Sequence, residues 1–230
     1  MLPIRDENPS GVRPTVTYAL IIINTIVFLW ELAYGLERAV YDFGFIPALF
    51  LADPLGNAYR IFTSMFLHGG WSHLIGNMVY LYIFGDNVEA AFGKARYFAF
   101  YLASGVGATG LHVLASLTPP AVYIPAVGAS GAISGVLGAY WLFYPHARIQ
   151  TVVTYGFFWQ IVRIPAYYYI GFWFVYQLIM GALGISGVAW WAHVGGFVTG
   201  LVLGSPLRRA ARRRREALRR GYWDYYVEWY

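Results

Sequence analysis

Residues 126–140 read AVGASGAISGVLGAY. The stretch carries no charge and no proline, and its first turn is crowded with small residues, Gly128-Ala129-Ser130-Gly131. Small residues at helical spacing let membrane helices approach closely. A serine at the start of such a helix can also act as a nucleophile once a base reaches it. On a helix, Ser130, Ser134 and Gly138 form one stripe, with Gly131 and Gly135 beside it.

The rest of the chain sets the context. It has 230 residues, 59% hydrophobic and 12% charged. Soluble domains carry about 25% charge, so the composition predicts an all-α polytopic membrane protein. There is no cysteine, which excludes disulfides, thiolate chemistry and cysteine-ligated metal. Asp6, Glu7, Pro9 and Pro14 precede a first apolar stretch long enough to span, so the N-terminus does not read as a cleavable signal. Half of the sixteen Lys and Arg lie between Arg208 and Arg220, directly after an apolar stretch. That run reads as an anchor at the membrane surface rather than a nucleic-acid site.

Six apolar stretches are predicted to span, at about 15–34, 72–92, 95–116, 129–144, 165–184 and 191–207. The fourth and sixth are short. Residues 149–163, rich in β-branched and aromatic types, read as an interfacial connector before Pro165. The long, aromatic connection from Gly35 to Trp71 reads as a functional or interfacial loop. The chain divides into an N-terminal segment 1–14, a six-helix membrane domain 15–207 and a basic, aromatic tail 208–230.

Six spans put both ends on one side. Arg5, Arg13, Lys94, Arg96, Arg148, Arg163 and the tail arginines fall on that side, against Arg38 and Arg60 opposite. The bias predicts a multi-pass cell-membrane protein with both termini cytoplasmic. The second, fourth and sixth spans then begin at one depth, near the outer surface. They begin with His73 and Asn77, with Ser130, and with His193. Polar groups inside a membrane are costly and face protein or water.

In the sixth span His193, Gly196, Gly200 and Gly204 share a stripe. Packed against the stripe that carries Ser130, it brings an imidazole to a serine, the pairing of base and nucleophile. His73 and Asn77 at i, i+4 share a face and supply donors suited to a developing oxyanion. His68, about 140° away, reads as a loop residue.

Three motifs, GASG at Ser130, AHVGG at His193 and HGGWSHLIGN from His68 to Asn77, resemble the rhomboid family of intramembrane serine proteases, in order and from about Tyr59 to Gly204. The resemblance implies a six-helix rhomboid-like bundle, a Ser130 nucleophile, a His193 base, and an oxyanion hole from His73, Asn77 and the Ser130 N–H. It implies helix packing at the site through Gly131, Gly135, Gly196 and Gly200. Substrates would be transmembrane segments cut near their outer end after a small residue, with no metal, no cofactor and no nucleic-acid partner. The helix from Tyr167 to Tyr176 would be the lateral entry side by analogy. Tyr59-Arg60 stands where the family has Trp-Arg, and Ser134 where it often has an aromatic that stacks on the histidine. His193 must then be oriented otherwise, by packing or by Trp190 or Trp191. No acidic residue lies in the outer half of the fourth or sixth span, and Glu31 has no local reason to meet His193, so a dyad is expected rather than a triad.

Competing chemistries fail on motif. There is no His-Glu-x-x-His run for zinc, and Ile83-Phe84-Gly85-Asp86 lacks the first glycine of an aspartyl intramembrane protease. A transporter would want intramembrane carboxylates. A catalytically inactive rhomboid-like client binder is the alternative, and the intact Ser130 and His193 speak against it.

Overall fold

The structure, a computed structural model, describes residues 2–156 and 158–227. A strand β1 (Leu2–Asp6) leads into α1 (Thr15–Tyr34). Three short helices, α2 (Leu36–Phe43), α3 (Pro47–Ala52) and α4 (Tyr59–Thr63), build the long connection that follows. Next come α5 (Trp71–Phe92), α6 (Lys94–Ala115) and α7 (Ser130–Phe143), strands β2 (Arg148–Tyr155) and β3 (Phe158–Pro165), α8 (Ala166–Ala182), α9 (Trp190–Gly204) and α10 (Arg208–Val227). A single residue, Gly93, joins α5 to α6, and its φ of 76° is open to glycine at no steric cost. Residues 228–230 of the aromatic tail lie outside the described residues.

The chain is mostly helical, but not all-α as the composition predicted. Residues 149–163 are not a plain connector: β2 and β3 pair antiparallel from Arg148–Pro165 to Tyr155–Phe158. The N-terminal segment adds β1 to β2, giving the order β1-β2-β3. The physical reason is in the residues themselves. IQTVVTY and FWQIVRIP are the β-branched and aromatic types that pack well on a pleated surface. Pro3 is tolerated because β1 is an edge strand. The sheet is tied to the helices by Asp6, whose Oδ2 accepts from Tyr140 Oη at 2.5 Å and from Asn87 Nδ2 at 3.0 Å. Burial pushes the Asp6 carboxyl up to about 7, and the opposing Tyr140 hydrogen bond is the smaller effect.

Among the described residues, α1 and α6 are long and apolar enough to cross a membrane. The helix α7 is apolar but shorter. It is also the centre of the molecule, packed by α5, α6, α8 and α9. Every residue from Gly131 to Tyr140 is buried, which explains an apolar helix without a polar face. With its own Leu137 and Phe143, Phe84, Tyr97, Tyr101 and Phe197 from the helices around it form much of the core.

Candidate active site

The Ser130 end of α7 is defined by what glycine permits. A Cβ on Gly196 would strike the Gly131 carbonyl, and one on Gly200 the Gly135 carbonyl. On another side of α7, a Cβ on Gly131 would stand 2.7 Å from Ala108 Cβ of α6, and one on Gly135 would strike the Ser104 side chain. The backbones of α7 and α9 therefore approach as closely as chains can, an association driven by packing.

At the mouth of that contact, His193 Nε2 lies 2.8 Å from Ser130 Oγ. Both side chains are half-buried. The other imidazole nitrogen, His193 Nδ1, lies 2.7 Å from Gln177 Oε1 on α8. Gln177 is buried, and its Nε2 donates to the Trp173 carbonyl at 3.1 Å. Ser134 does not hold His193: its hydroxyl donates to the Ser130 carbonyl at 2.6 Å, and among the described residues no hydrogen bond links it to His193. The ring missing at 134 is supplied from α8: Trp173 lies 5.9 Å from the imidazole at a 32° tilt. Trp190 meets it edge-on at 6.3 Å, whereas Trp191 lies against Gly181.

The oxyanion candidates come from α5 and the turn before α7. Gly69 N–H donates to His73 Nδ1 at 3.2 Å, so His73 Nε2 carries the hydrogen. That nitrogen is directed at Gly128, whose φ is 127°. A Cβ there would sit 2.7 Å from His73 Nε2 and 3.4 Å from Ser130 Oγ. Gly128 thus leaves a space bounded by a donor and the serine oxygen. Ser130 opens α7, so its N–H belongs to the turn that has no intrahelical acceptor. Asn77 is buried in α5 but gives its Nδ2 hydrogen bond to the His73 carbonyl at 2.9 Å. Among the described residues no hydrogen bond links Asn77 to Ser130 or His193.

The surrounding loop is pinned rather than loose. Arg60 donates to the carbonyls of Tyr41 and Gly44 at 3.0 and 2.9 Å, while Tyr59 is exposed. The Glu31 carboxylate accepts the His68 N–H with both oxygens, at 3.1 and 3.0 Å. Glu31 thus holds the segment leading into α5 instead of meeting His193. His68 is fully buried, with its ring 5.1 Å from that of His73. Burial, then the neighbouring His73, push its imidazole down to about 4. Beside Ser130 a small pocket is bordered by Met65, Ala108, Thr109, His112, Val127 and Gly131.

Gln177 is the site residue that motif reading missed. The available signal was a lone strongly polar side chain in the otherwise apolar and aromatic AYYYIGFWFVYQLIMGA of α8.

By sequence, the chain is similar to one known family. The family model for the rhomboid domain matches residues 55–210. The mitochondrial rhomboid protein 1 of Saccharomyces cerevisiae is 29% identical over 214 residues, covering 87% of this chain and 56% of that protein. Rhomboid protease GluP of Bacillus subtilis is 31% identical over 205 residues, covering 88% of this chain and 37% of GluP. Rhomboid protease AarA of Providencia stuartii is 28% identical over 212 residues, covering 82% and 70%. The chain spans about half the length of the yeast relative and a smaller share of GluP.

Proposed function

The chain belongs to the rhomboid family, and from that premise we propose that it is an intramembrane serine endopeptidase acting on transmembrane segments of other proteins. One observation carries the reading: the 2.8 Å approach of His193 Nε2 to Ser130 Oγ, at the outer end of a buried apolar helix. At that distance the imidazole takes the serine proton as Oγ attacks a peptide carbonyl, and later returns it to the leaving amine. The oxyanion forms in the space at Gly128, met by His73 Nε2–H and the Ser130 N–H. Asn77 joins this hole by turning its amide away from the His73 carbonyl. Water then releases the acyl group from Ser130.

The proposed spans are α1, α5, α6, α7, α8 and α9. Exposed apolar side chains such as Ile26, Phe172 and Val202 on the outside of this bundle suit lipid contact. The basic residues support a cytoplasmic position for both termini in a cell membrane. Arg163 pairs with Glu7 at 2.8 Å, and Arg214 of α10 donates to the Ala90 carbonyl at the end of α5. One end of the bundle therefore gathers the N-terminus, the sheet and the tail, an arrangement that suits a cytoplasmic face by the positive-inside rule. The small pocket beside Ser130 suits a small residue before the cleaved bond. An inactive client-binding relative would have no need of a base held at hydrogen-bond distance from the serine.

The test is labelling of the detergent-purified protein with a fluorophosphonate. A single adduct on the Ser130 peptide, lost in His193→Ala, is expected. No adduct on Ser130 in a folded protein would sink the protease reading in favour of the inactive binder.

A further inference from the structure

We propose that Gln177 is the positioning residue for His193: its neutral amide fixes the tautomer that the serine requires. The inference deepens the protease reading and rests on it for its catalytic consequence. The geometry leaves little freedom. The Trp173 carbonyl accepts hydrogen bonds and cannot donate, so the Gln177 atom 3.1 Å from it must be the NH2 group. The amide oxygen then faces His193 Nδ1 at 2.7 Å. An amide oxygen also only accepts, so Nδ1 must carry the hydrogen. In the neutral imidazole that leaves the lone pair on Nε2, the atom 2.8 Å from Ser130 Oγ. One helical carbonyl on α8 thus determines, through the Gln177 amide and the imidazole ring, which way the Ser130 proton can travel.

The surroundings give the amide this role without competition. Ser134 donates to the Ser130 carbonyl, and among the described residues it makes no hydrogen bond to His193. The ionisable groups that act on His193 across space are His73 and His112, both imidazoles. Gln177 itself is 3% exposed, which shields its amide from bulk water. A buried neutral acceptor suits this depth, since a carboxylate there would itself be costly. When Nε2 takes the serine proton, the amide oxygen faces the Nδ1–H of an imidazolium, and that hydrogen bond strengthens with the charge.

Two measurements test the role. The first needs no substrate: imidazole 15N spectra of the wild-type protein, with the His193 signals assigned by their loss in His193→Ala. Nδ1 should be protonated and Nε2 unprotonated at neutral pH. The reverse tautomer overturns the inference whether or not the protein is a protease. The second uses cleavage of a transmembrane substrate. Gln177→Leu keeps the volume but not the acceptor, and should lower kcat by about 10²-fold with KM little changed. That is less than the ~10⁴-fold cost of the wrong tautomer in a carboxylate triad, where a charge is lost as well. Gln177→Glu retains an acceptor at the same reach and should restore most of the rate. Unchanged kcat in Gln177→Leu, or equal losses in the Leu and Glu variants, would show that the amide only packs. If wild type cleaves nothing, the protease reading fails while the tautomer still decides the role of Gln177.

Discussion

At its Ser130 end, α7 meets its neighbours through glycines, a serine and alanine, and backbone touches backbone. At its Tyr140 end the same helix keeps one backbone contact, Gly138 against the Phe197 carbonyl, and otherwise meets them through rings and a buried carboxyl. There Tyr140 stacks edge-on with Phe84 at 5.0 Å and donates to Asp6, which also takes Asn87. The difference teaches what each end is built to resist. A contact made by glycine has no side chain that can move aside, so an added methyl shifts whole helices. A contact made by rings and hydrogen bonds can be trimmed one group at a time. The proposed catalytic pair, Ser130 and His193, which must stay within a fraction of an ångström, sits at the first kind of contact.

The sharpest way to break that contrast is to add one carbon along the α9 stripe. Gly200→Ala would drive Cβ into the Gly135 carbonyl, and Gly200→Val adds still more. We expect Val to lower the cleavage rate by at least about 10²-fold, as displacements near 1 Å do, with a lower Tm and with Ala milder. At Gly204 the nearest atoms to a new Cβ are Phe143 Cζ at 3.3 Å and Ala139 Cβ at 3.4 Å, a ring edge and a methyl. Gly204→Ala should leave rate and Tm close to wild type. Equal behaviour of the two alanine variants, read as initial rate and Tm in one detergent, would remove the distinction between the ends.

A smaller effect is expected from the other end, on stability and not on rate. The Asp6 carboxyl is held up at about 7 in the folded protein, against an ordinary value of 3.8. As pH rises through that interval the unfolded chain loses the proton and the folded chain keeps it. Its contribution is therefore fully present below about 4, declines up to about 7, and is flat above. His68 acts oppositely, since burial holds it at about 4: its contribution declines as pH falls from 6.5 towards 4. Asp6→Asn removes the first dependence and keeps the second. The Tm of Asp6→Asn minus that of wild type should therefore grow as pH is raised from about 4 to about 7, with the cleavage rate unchanged. A pH-independent difference would mean that Asp6 is already ionised in the folded state.

The sequence foretold these regions unequally, for physical reasons. Helices α1, α5 and α6 announce themselves by apolar length, α7 by its uncharged run of small and apolar residues, and the stripes of Ser130 and His193 by spacing along one helix. The sheet was hidden because β2 and β3 set Arg148, Gln150, Gln160 and Arg163 among apolar and aromatic residues without a clean alternation. Their β-branched content was visible, but an apolar run beside proposed membrane spans does not declare its period. The pairing of Leu2–Asp6 with β2 joins residues far apart in sequence, which no local pattern encodes. Gln177 was hidden for a related reason. Its meaning lies in an atom of α9 and a carbonyl of its own helix, and neither belongs to a motif. Trp173 was passed over because it is one ring among many in α8.

The central claim is that Ser130, activated by His193, cuts peptide bonds within membrane helices. Its most direct test is cleavage of a single-span model substrate, reconstituted in liposomes with purified wild type, Ser130→Ala, His193→Ala and the double variant, with products identified by mass spectrometry. We predict a cut near the outer end of the substrate helix by wild type alone. Each single variant should lose nearly all activity and the double variant little more, because residues that act as a unit are not additive. Substantial cleavage at the same bond by folded Ser130→Ala would contradict the account.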